Sequence, residues 1–176
     1  MYVPTGFVGR PGYLTWQQLR QLEASGRWQI DEHAGDGHVL VTVDPQGKRL
    51  PFYAAERWEN GRRESFTRYK ARVVDDIERG AVELARNLPG WRSHGTFAVP
   101  YGNYGENGSN DPRIEPWLSG YLRAHFAVTF VQGDSFTTPR QWRAERIIVS
   151  SSLDDRTLET RLLRGLGVLS SRRASS

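Results

Sequence analysis

Apolar, β-branched stretches alternate with amphipathic helical stretches about four times along this chain. That alternation implies an α/β protein with mainly parallel strands, because each helix returns the chain to begin the next strand in the same direction. Length adds a constraint. At 176 residues the chain suffices for one domain with a sizeable core, yet a closed eight-stranded α/β barrel typically takes about 250 residues. The expected architecture is an incomplete (β/α) barrel over residues 1–169, followed by a disordered tail at 170–176, SSRRASS.

Each element has its own local signal. Residues 2–8 (YVPTGFV) are aromatic and β-branched and run into Gly9, Pro11 and Gly12, so they read as a strand end entering a loop. Thr15 and Gln18 have the spacing of a capping box; Trp16, Leu19 and Leu22 give the helix behind them an apolar face, and Gly26 stops it. Residues 27–33 (RWQIDEH) alternate as a short strand, and 38–43 (HVLVTV) read as a small excursion strand. Residues 44–63 are rich in turn signals, among them Asp-Pro and Asn-Gly. Ser65 caps the longest helix, in which Phe66, Tyr69, Val73, Ile77, Ala81, Leu84 and Leu88 recur at helical spacing until Pro89-Gly90 ends it. Thr96–Val99 is a strand stopped by Pro100, and a Gly/Asn-rich loop spans 101–110. Asp111-Pro112 predicts a helix start with Pro at the first helical position, and Ile114, Trp117, Leu118, Tyr121 and Leu122 supply its apolar face. Residues 126–131 (FAVTFV) form a continuous apolar run, as in a strand buried on both faces, and 146–149 (RIIV) read as another strand. Ser152 and Asp155 are expected to cap a last helix with Leu158, Leu162, Leu163 and Leu166 inside.

Composition narrows the function. There is no Cys, which excludes a disulfide scaffold, a thiolate metal site and a thiol nucleophile. The formal charge is +4, nearly all the cations are Arg, and they lie interspersed with acids, as in Asp75-Asp76-Ile77-Glu78-Arg79. Outside the short Arg172-Arg173 tail no basic block interleaves with aromatics, so a solvated mixed-charge surface is expected rather than a nucleic-acid footprint. No stretch approaches the ~18 apolar residues of a membrane span, and Met1–Gly6 has neither the charged nor the apolar region of a signal peptide. No P-loop, dinucleotide fingerprint or nucleophile elbow is present.

In parallel α/β folds the functional groups sit at the C-terminal ends of the strands. The loop after the second strand holds His33-Ala34-Gly35-Asp36-Gly37-His38, where a Gly-rich turn can bring two imidazoles onto one transition-metal ion; the alternative is a polar loop with two exposed His. Asp31, Glu32 and Asp36 are nearby carboxylates able to ligate or to orient an imidazole. After the third strand, Pro100-Tyr101-Gly102-Asn103-Tyr104 offers a ring for stacking on sugar and glycines that admit a ligand to the backbone, or else a plain strand stop with turns. Asp134, after the fourth strand, is either a turn former or a functional carboxylate. His94 and His125 lie away from these strand ends and read as structural.

Taken together, Tyr13-Leu14-Thr15-Trp16-Gln17-Gln18-Leu19-Arg20, then Ala24-Ser25-Gly26, then Ile30 to His33 with His38, then Phe97-Ala98-Val99-Pro100-Tyr101-Gly102, form a combination that is not generic. It resembles the polysaccharide deacetylases of carbohydrate esterase family 4, the NodB-homology group, and within it the branch that de-N-acetylates poly-β-1,6-N-acetylglucosamine; the likeness covers roughly residues 2–165. The resemblance implies a deformed (β/α) barrel and one divalent metal ion, often zinc, held by two His and one Asp. His33 and His38 match the two His positions. It also implies a second Asp as general base toward a water activated by the metal. Pro100-Tyr101-Gly102 matches the groove motif, which makes Tyr101 the catalytic residue through its backbone N–H at the oxyanion. The Tyr101 ring would line the sugar groove, with Pro100, Gly102, Asn103 and Tyr104 beside it. Arg146-Ile147-Ile148-Val149 resembles the last barrel strand.

Departures from the family pattern shape the expectation. The family's Thr-Phe-Asp-Asp-Gly motif belongs to a first strand ahead of the segment matching Tyr2–Val8 and has no counterpart here. The ligand Asp and the base Asp are thus expected to be missing, with Asp36 and Asp134 as the carboxylates that can stand in as ligand. The Arg that precedes the Pro-Tyr motif in many members is Ala98 or Val99 here, and the family's late His has no match. The expected function is metal-dependent N-deacetylation of an N-acetylglucosamine-type polysaccharide, in whole or as a truncated form of such an enzyme. The alternative is an inactive relic that still binds glycan. A barrel lacking its first strand leaves a sheet edge open to homodimerisation. Family members are usually extracellular or in the cell envelope.

Overall fold

The structure, a computed structural model, describes residues 1–133, 142–146 and 154–165. In chain order the elements are β1 (Tyr2–Val3), α1 (Trp16–Ala24), β2 (Asp31–Glu32), β3 (Leu40–Thr42), β4 (Arg49–Pro51), β5 (Trp58–Glu59), β6 (Arg62–Arg63), α2 (Phe66–Asn87), β7 (Thr96–Ala98), α3 (Ile114–His125), β8 (Val128–Gln132), β9 (Arg143–Arg146) and α4 (Asp155–Gly165). Turns of 3₁₀ helix cover Thr5–Phe7, Phe52–Ala54 and Pro100–Gly102. Five strands form one sheet in the order β1-β2-β7-β8-β9, every pair parallel. This is the mainly parallel, incomplete barrel expected from the alternation of elements. The turn-rich stretch after β2 builds two small antiparallel pairs, β3 with β4 and β5 with β6, outside that sheet.

The helices obey their caps. Thr15 Oγ1 accepts from Gln18 N at 3.3 Å while Gln18 Oε1 accepts from Thr15 N at 2.8 Å, closing the capping box of α1. Ser65 Oγ accepts from Arg68 N at the start of α2. Helices α2 and α3 then lay Tyr69, Val73, Ile77, Ile114, Leu118 and Leu122 onto Phe97, Val99 and Val131 of the sheet side, in the main core. A second cluster joins Val3, Leu19, Ile30, Leu84 and Leu88, where α1 and the end of α2 cover β1. Among the described residues no helix is long and apolar enough to cross a membrane.

Several boundaries differ from the sequence reading. The first strand spans only Tyr2–Val3, because Pro4 leads into the 3₁₀ turn at Thr5–Phe7. The second is only Asp31–Glu32. The helix expected at Asp111-Pro112 begins at Ile114; Asp111 Oδ1 instead accepts from Arg113 N at 2.8 Å and holds a turn ahead of it. The apolar run at 126–131 pairs as Val128–Gln132 with alternating burial, Thr129 and Val131 inside and Val128 and Phe130 half-buried, so it is not buried on both faces. Strand pairing at the end of the sheet involves Arg143–Arg146, ahead of the predicted 146–149. The cap of α4 falls to Asp154, whose Oδ1 accepts from Thr157 N at 2.6 Å, rather than to Asp155, and Leu162 is exposed. Residues 147–149, Ser152, Leu166 and the 170–176 tail lie outside the described residues.

Leu84 is fully buried between α1, α2 and β1. Leu84→Ala should lower unfolding free energy by about 2–5 kcal/mol in urea titrations, the range for a truncation that leaves a cavity.

Candidate active site

Because all five strands are parallel, the C-terminal ends of β2, β7 and β9 lie at one edge of the sheet. His33 follows β2 directly, and its N–H donates to Val3 O at 3.3 Å, so the ladder with β1 runs one residue further. The chain then reverses through Ala34, which holds the left-handed φ of 79°. The rings of His33 and His38 end 5.0 Å apart between centroids. His38 stacks on Tyr101 at 4.8 Å and meets Phe7 edge-on at 6.3 Å. The structure therefore brings together three residues singled out in the sequence: His33, His38 and Tyr101.

His33 Nδ1 donates to the carbonyl of Ala98 at the end of β7. A carbonyl only accepts, which assigns the proton to Nδ1 and leaves the Nε2 lone pair for a ligand. Burial pushes the His33 pKa down to about 4, with Arg146 and His38 pressing the same way against the Ala98 bond. His38 is lowered too, by burial and then by Arg146. Both rings are neutral at pH 7, the protonation state that binds metal. A cavity of about 330 Å³ opens beside them, lined by Tyr2, Pro4, Tyr13 and Leu14 as well as both His.

A transition-metal ion suits this donor pair in part. Two neutral imidazoles, one oriented by a backbone carbonyl, are ordinary zinc ligands, but a catalytic zinc takes three protein ligands. Among the described residues no group of three His, Asp or Glu side chains converges. Asp36 is drawn away into ion pairs with Arg79 at 3.0 Å and Arg10 at 3.5 Å. Asp134 lies outside the described residues. His33 and His38 are the residues that would hold an ion.

The 100–104 loop divides into one exposed residue and four buried ones. Tyr101 is 36% exposed, while Pro100, Gly102, Asn103 and Tyr104 are buried. Asn103 Oδ1 accepts from Gly105 N at 2.7 Å, and Tyr104 packs against Trp142 at 6.0 Å. These two serve the loop's own packing, which leaves Tyr101 to face a ligand. Tyr101 sits at φ 57°, ψ 7°, a left-handed conformation rare for a residue with a side chain. Its N–H donates to no acceptor among the described residues. Gly102 follows at φ 61°, where a Cβ would stand 2.4 Å from Gln132 N.

Two features escaped the sequence reading. Arg146, at the end of β9, donates from Nη2 to Val99 O at 3.2 Å and lies 5.8 Å from the Tyr2 ring. A guanidinium thus reaches the segment before Pro100-Tyr101 from a distant strand, although positions 98 and 99 carry none. Asp76, buried on α2, accepts from the amides of Asp36 and Gly37. Its signal in the sequence was a carboxylate in register with Tyr69, Val73 and Gly80 on the buried face of α2. His94 pairs instead with Asp31 at 2.9 Å at the opposite end of the strands, and His125 stacks on Tyr121, so both are structural as expected.

Several solved structures share this arrangement of elements. One is a de-N-acetylase from Aggregatibacter actinomycetemcomitans, with TM-score 0.73 and 22% identity over 91% of this chain and 63% of that one. The chain has the fold of the polysaccharide deacetylases. The BpsB deacetylase domain from Bordetella bronchiseptica superposes with TM-score 0.60 at 20% identity, covering 77% of this chain and 49% of that one. IcaB from Ammonifex degensii superposes with TM-score 0.59 at 21% identity, covering 93% and 60%. The deacetylase-fold chain therefore spans about 63% of the first of these proteins, not its whole length. No protein-family model and no curated protein matches the sequence.

Two outcomes test this geometry. Gly102→Ala should destabilise the protein by more than about 1 kcal/mol in chemical denaturation, since the added methyl meets backbone at a left-handed position. For His33, the unfolded chain binds a proton near pH 6.5 and the folded chain only near 4. Its stabilising effect is present at pH 7 and is lost as pH falls through that window. The stability difference between wild type and His33→Asn should narrow between pH 7 and pH 4.5 in metal-free urea titrations.

Proposed function

We propose that this chain carries the metal-holding and sugar-facing part of a metal-dependent N-deacetylase acting on N-acetylglucosamine-type polysaccharide. The observation that carries the reading is the cluster of His33, His38 and Tyr101 at the C-terminal edge of a parallel sheet of polysaccharide-deacetylase fold. His33 and His38 would hold a divalent ion, zinc in the first instance. The chemistry such an ion supplies is Lewis acidity toward an acetamide carbonyl and a lowered pKa for water.

The residues of the chain do the rest. His33 is held in one tautomer by Ala98, so its Nε2 is fixed in direction. The exposed Tyr101 ring offers a flat apolar face to a pyranose ring. The Tyr101 N–H, held in place by the left-handed backbone of Tyr101 and Gly102, is the donor for a carbonyl oxygen that gains charge. Arg146 adds positive charge on the same side of the sheet, which favours an oxyanion over a neutral amide.

A second reading, glycan binding without hydrolysis, is favoured by one observation: the described residues bring only two metal donors together. Elemental analysis and acetate release separate the two. The deacetylase reading expects about one equivalent of zinc, lost in His33→Ala and in His38→Ala, and acetate liberated from N-acetylglucosamine oligomers. Oligomer retention with neither zinc nor acetate release would establish the binding protein instead. Tyr101→Ala should weaken oligomer binding by about tenfold under either reading, the scale of one lost ring contact.

A further inference from the structure

We propose that Asp76 is the positioning residue of the candidate metal site: its carboxylate shapes the turn that sets His33 and His38 side by side. This rests on reading the two His as metal-holding. Asp76 stands in the middle of α2, is 1% exposed, and touches neither imidazole. Both of its oxygens are used. Oδ1 accepts from Asp36 N at 2.7 Å and Arg79 Nη2 at 2.8 Å. Oδ2 accepts from Gly37 N at 3.1 Å and Tyr53 Oη at 2.7 Å. A carboxylate offers about four lone-pair directions, and here all four meet a donor.

Two of those donors are consecutive amides of the four-residue reversal between the imidazoles. Without Asp76 both amides would lose their acceptor, a cost that drives the turn to open toward water. The helix backbone adds a third tie, since Gly35 N donates to Asp76 O at 3.1 Å. From the other side the 3₁₀ turn at Thr5–Phe7 clamps the same residues: Thr5 N donates to Ala34 O and Gly6 N to Gly35 O, each at 3.0 Å. The contact is too close for side chains. A Cβ on Gly37 would lie 2.5 Å from Asp76 Oδ2, and one on Gly80 would lie 3.0 Å from the Ala34 carbonyl carbon.

An acceptor-only group is required at this position. Asparagine has the same shape, but its amide would point two N–H groups at a pair of donors. Asp76 therefore acts on the imidazoles through the backbone of Asp36 and Gly37, and Arg79 fastens the outside of the turn by bridging Asp76 to Asp36.

The test compares Asp76→Asn with Leu84→Ala, which weakens the same helix far from the turn. Each protein is studied below its own melting temperature with two readouts. The first is the His38 ring proton shifts in metal-free protein by NMR, which report stacking on Tyr101. The second is zinc affinity by equilibrium dialysis. Asp76→Asn should move the His38 resonances and weaken zinc binding by about tenfold or more, the scale reported for lost outer-shell partners, while Leu84→Ala changes neither. If Asp76→Asn leaves both unchanged, or if Leu84→Ala changes them equally, the proposal is overturned. If Asp76→Asn does not fold, Tyr53→Phe removes one of the four donors and keeps the ring; altered His38 shifts support the proposal and unaltered ones refute it. Should wild type bind no zinc, the metal reading fails, and the NMR comparison still decides the role of Asp76.

Discussion

The carboxylate of Asp76 takes two amides of the His33–His38 turn, a tyrosine hydroxyl and a guanidinium into one buried cluster, and the placement of both imidazoles follows from it. A buried carboxylate is tolerated only when its oxygens are filled, and here the chain fills them with backbone from one element and side chains from two others. The same cluster explains why the turn is Gly-rich. Glycine at 37 admits the carboxylate, and glycine at 80 admits the Ala34 carbonyl. Helix α2 is thus both the main wall of the core and the mould for the turn beside it.

Around that anchor, the edge of the parallel sheet assembles the remaining parts. Strand β7 contributes the Ala98 carbonyl that assigns the His33 tautomer, and the following turn forces Tyr101 into a left-handed conformation with its ring against His38. Strand β8 lies so close to that turn that only glycine fits at 102. Strand β9 brings Arg146, whose charge lowers the proton affinity of both imidazoles and whose guanidinium secures the carbonyl of Val99. Ala98 and Tyr101 come from one stretch of chain, but His33 and His38 before it and Arg146 after it are far away in sequence, so the site exists only when the sheet is in register.

Parallel topology also separates the titratable groups by role. His94 and Asp31 pair at the N-terminal end of the strands, where they tie the loop before β7 to β2. Glu32 is buried, and its pKa is raised to about 7 by burial and then by Asp31. His33, one residue later, faces the open edge. Successive residues of a strand point to opposite faces, so Glu32 turns away from the face that Asp31 and His33 share.

Much of the architecture was legible in the sequence. The 3.6-residue stripe of α2, the capping box of α1, the Ser65 cap of α2 and the strand stop at Pro100 are local signals, and local hydrogen bonding and side-chain periodicity suffice to produce them. The pairing of His33 with His38 and the prominence of Tyr101 were legible for the same reason, since short turns at strand ends restrict where a side chain can go. Strand limits were less so: the strand expected over 27–33 is cut to Asp31–Glu32 by the register of its neighbours, which no window of sequence contains. The sequence by itself thus determined the order of elements, the parallel α/β class and the residues gathered at the C-terminal edge of the sheet. Only the tertiary structure decided that Asp36 is spent on Arg79 and Arg10, that Asn103 and Tyr104 turn inward, and that Asp76 and Arg146 belong to the site. Several of those outcomes depend on groups far apart in the chain, as with Asp36 and Asp76, 40 residues apart, and such meetings are set by packing rather than by spacing.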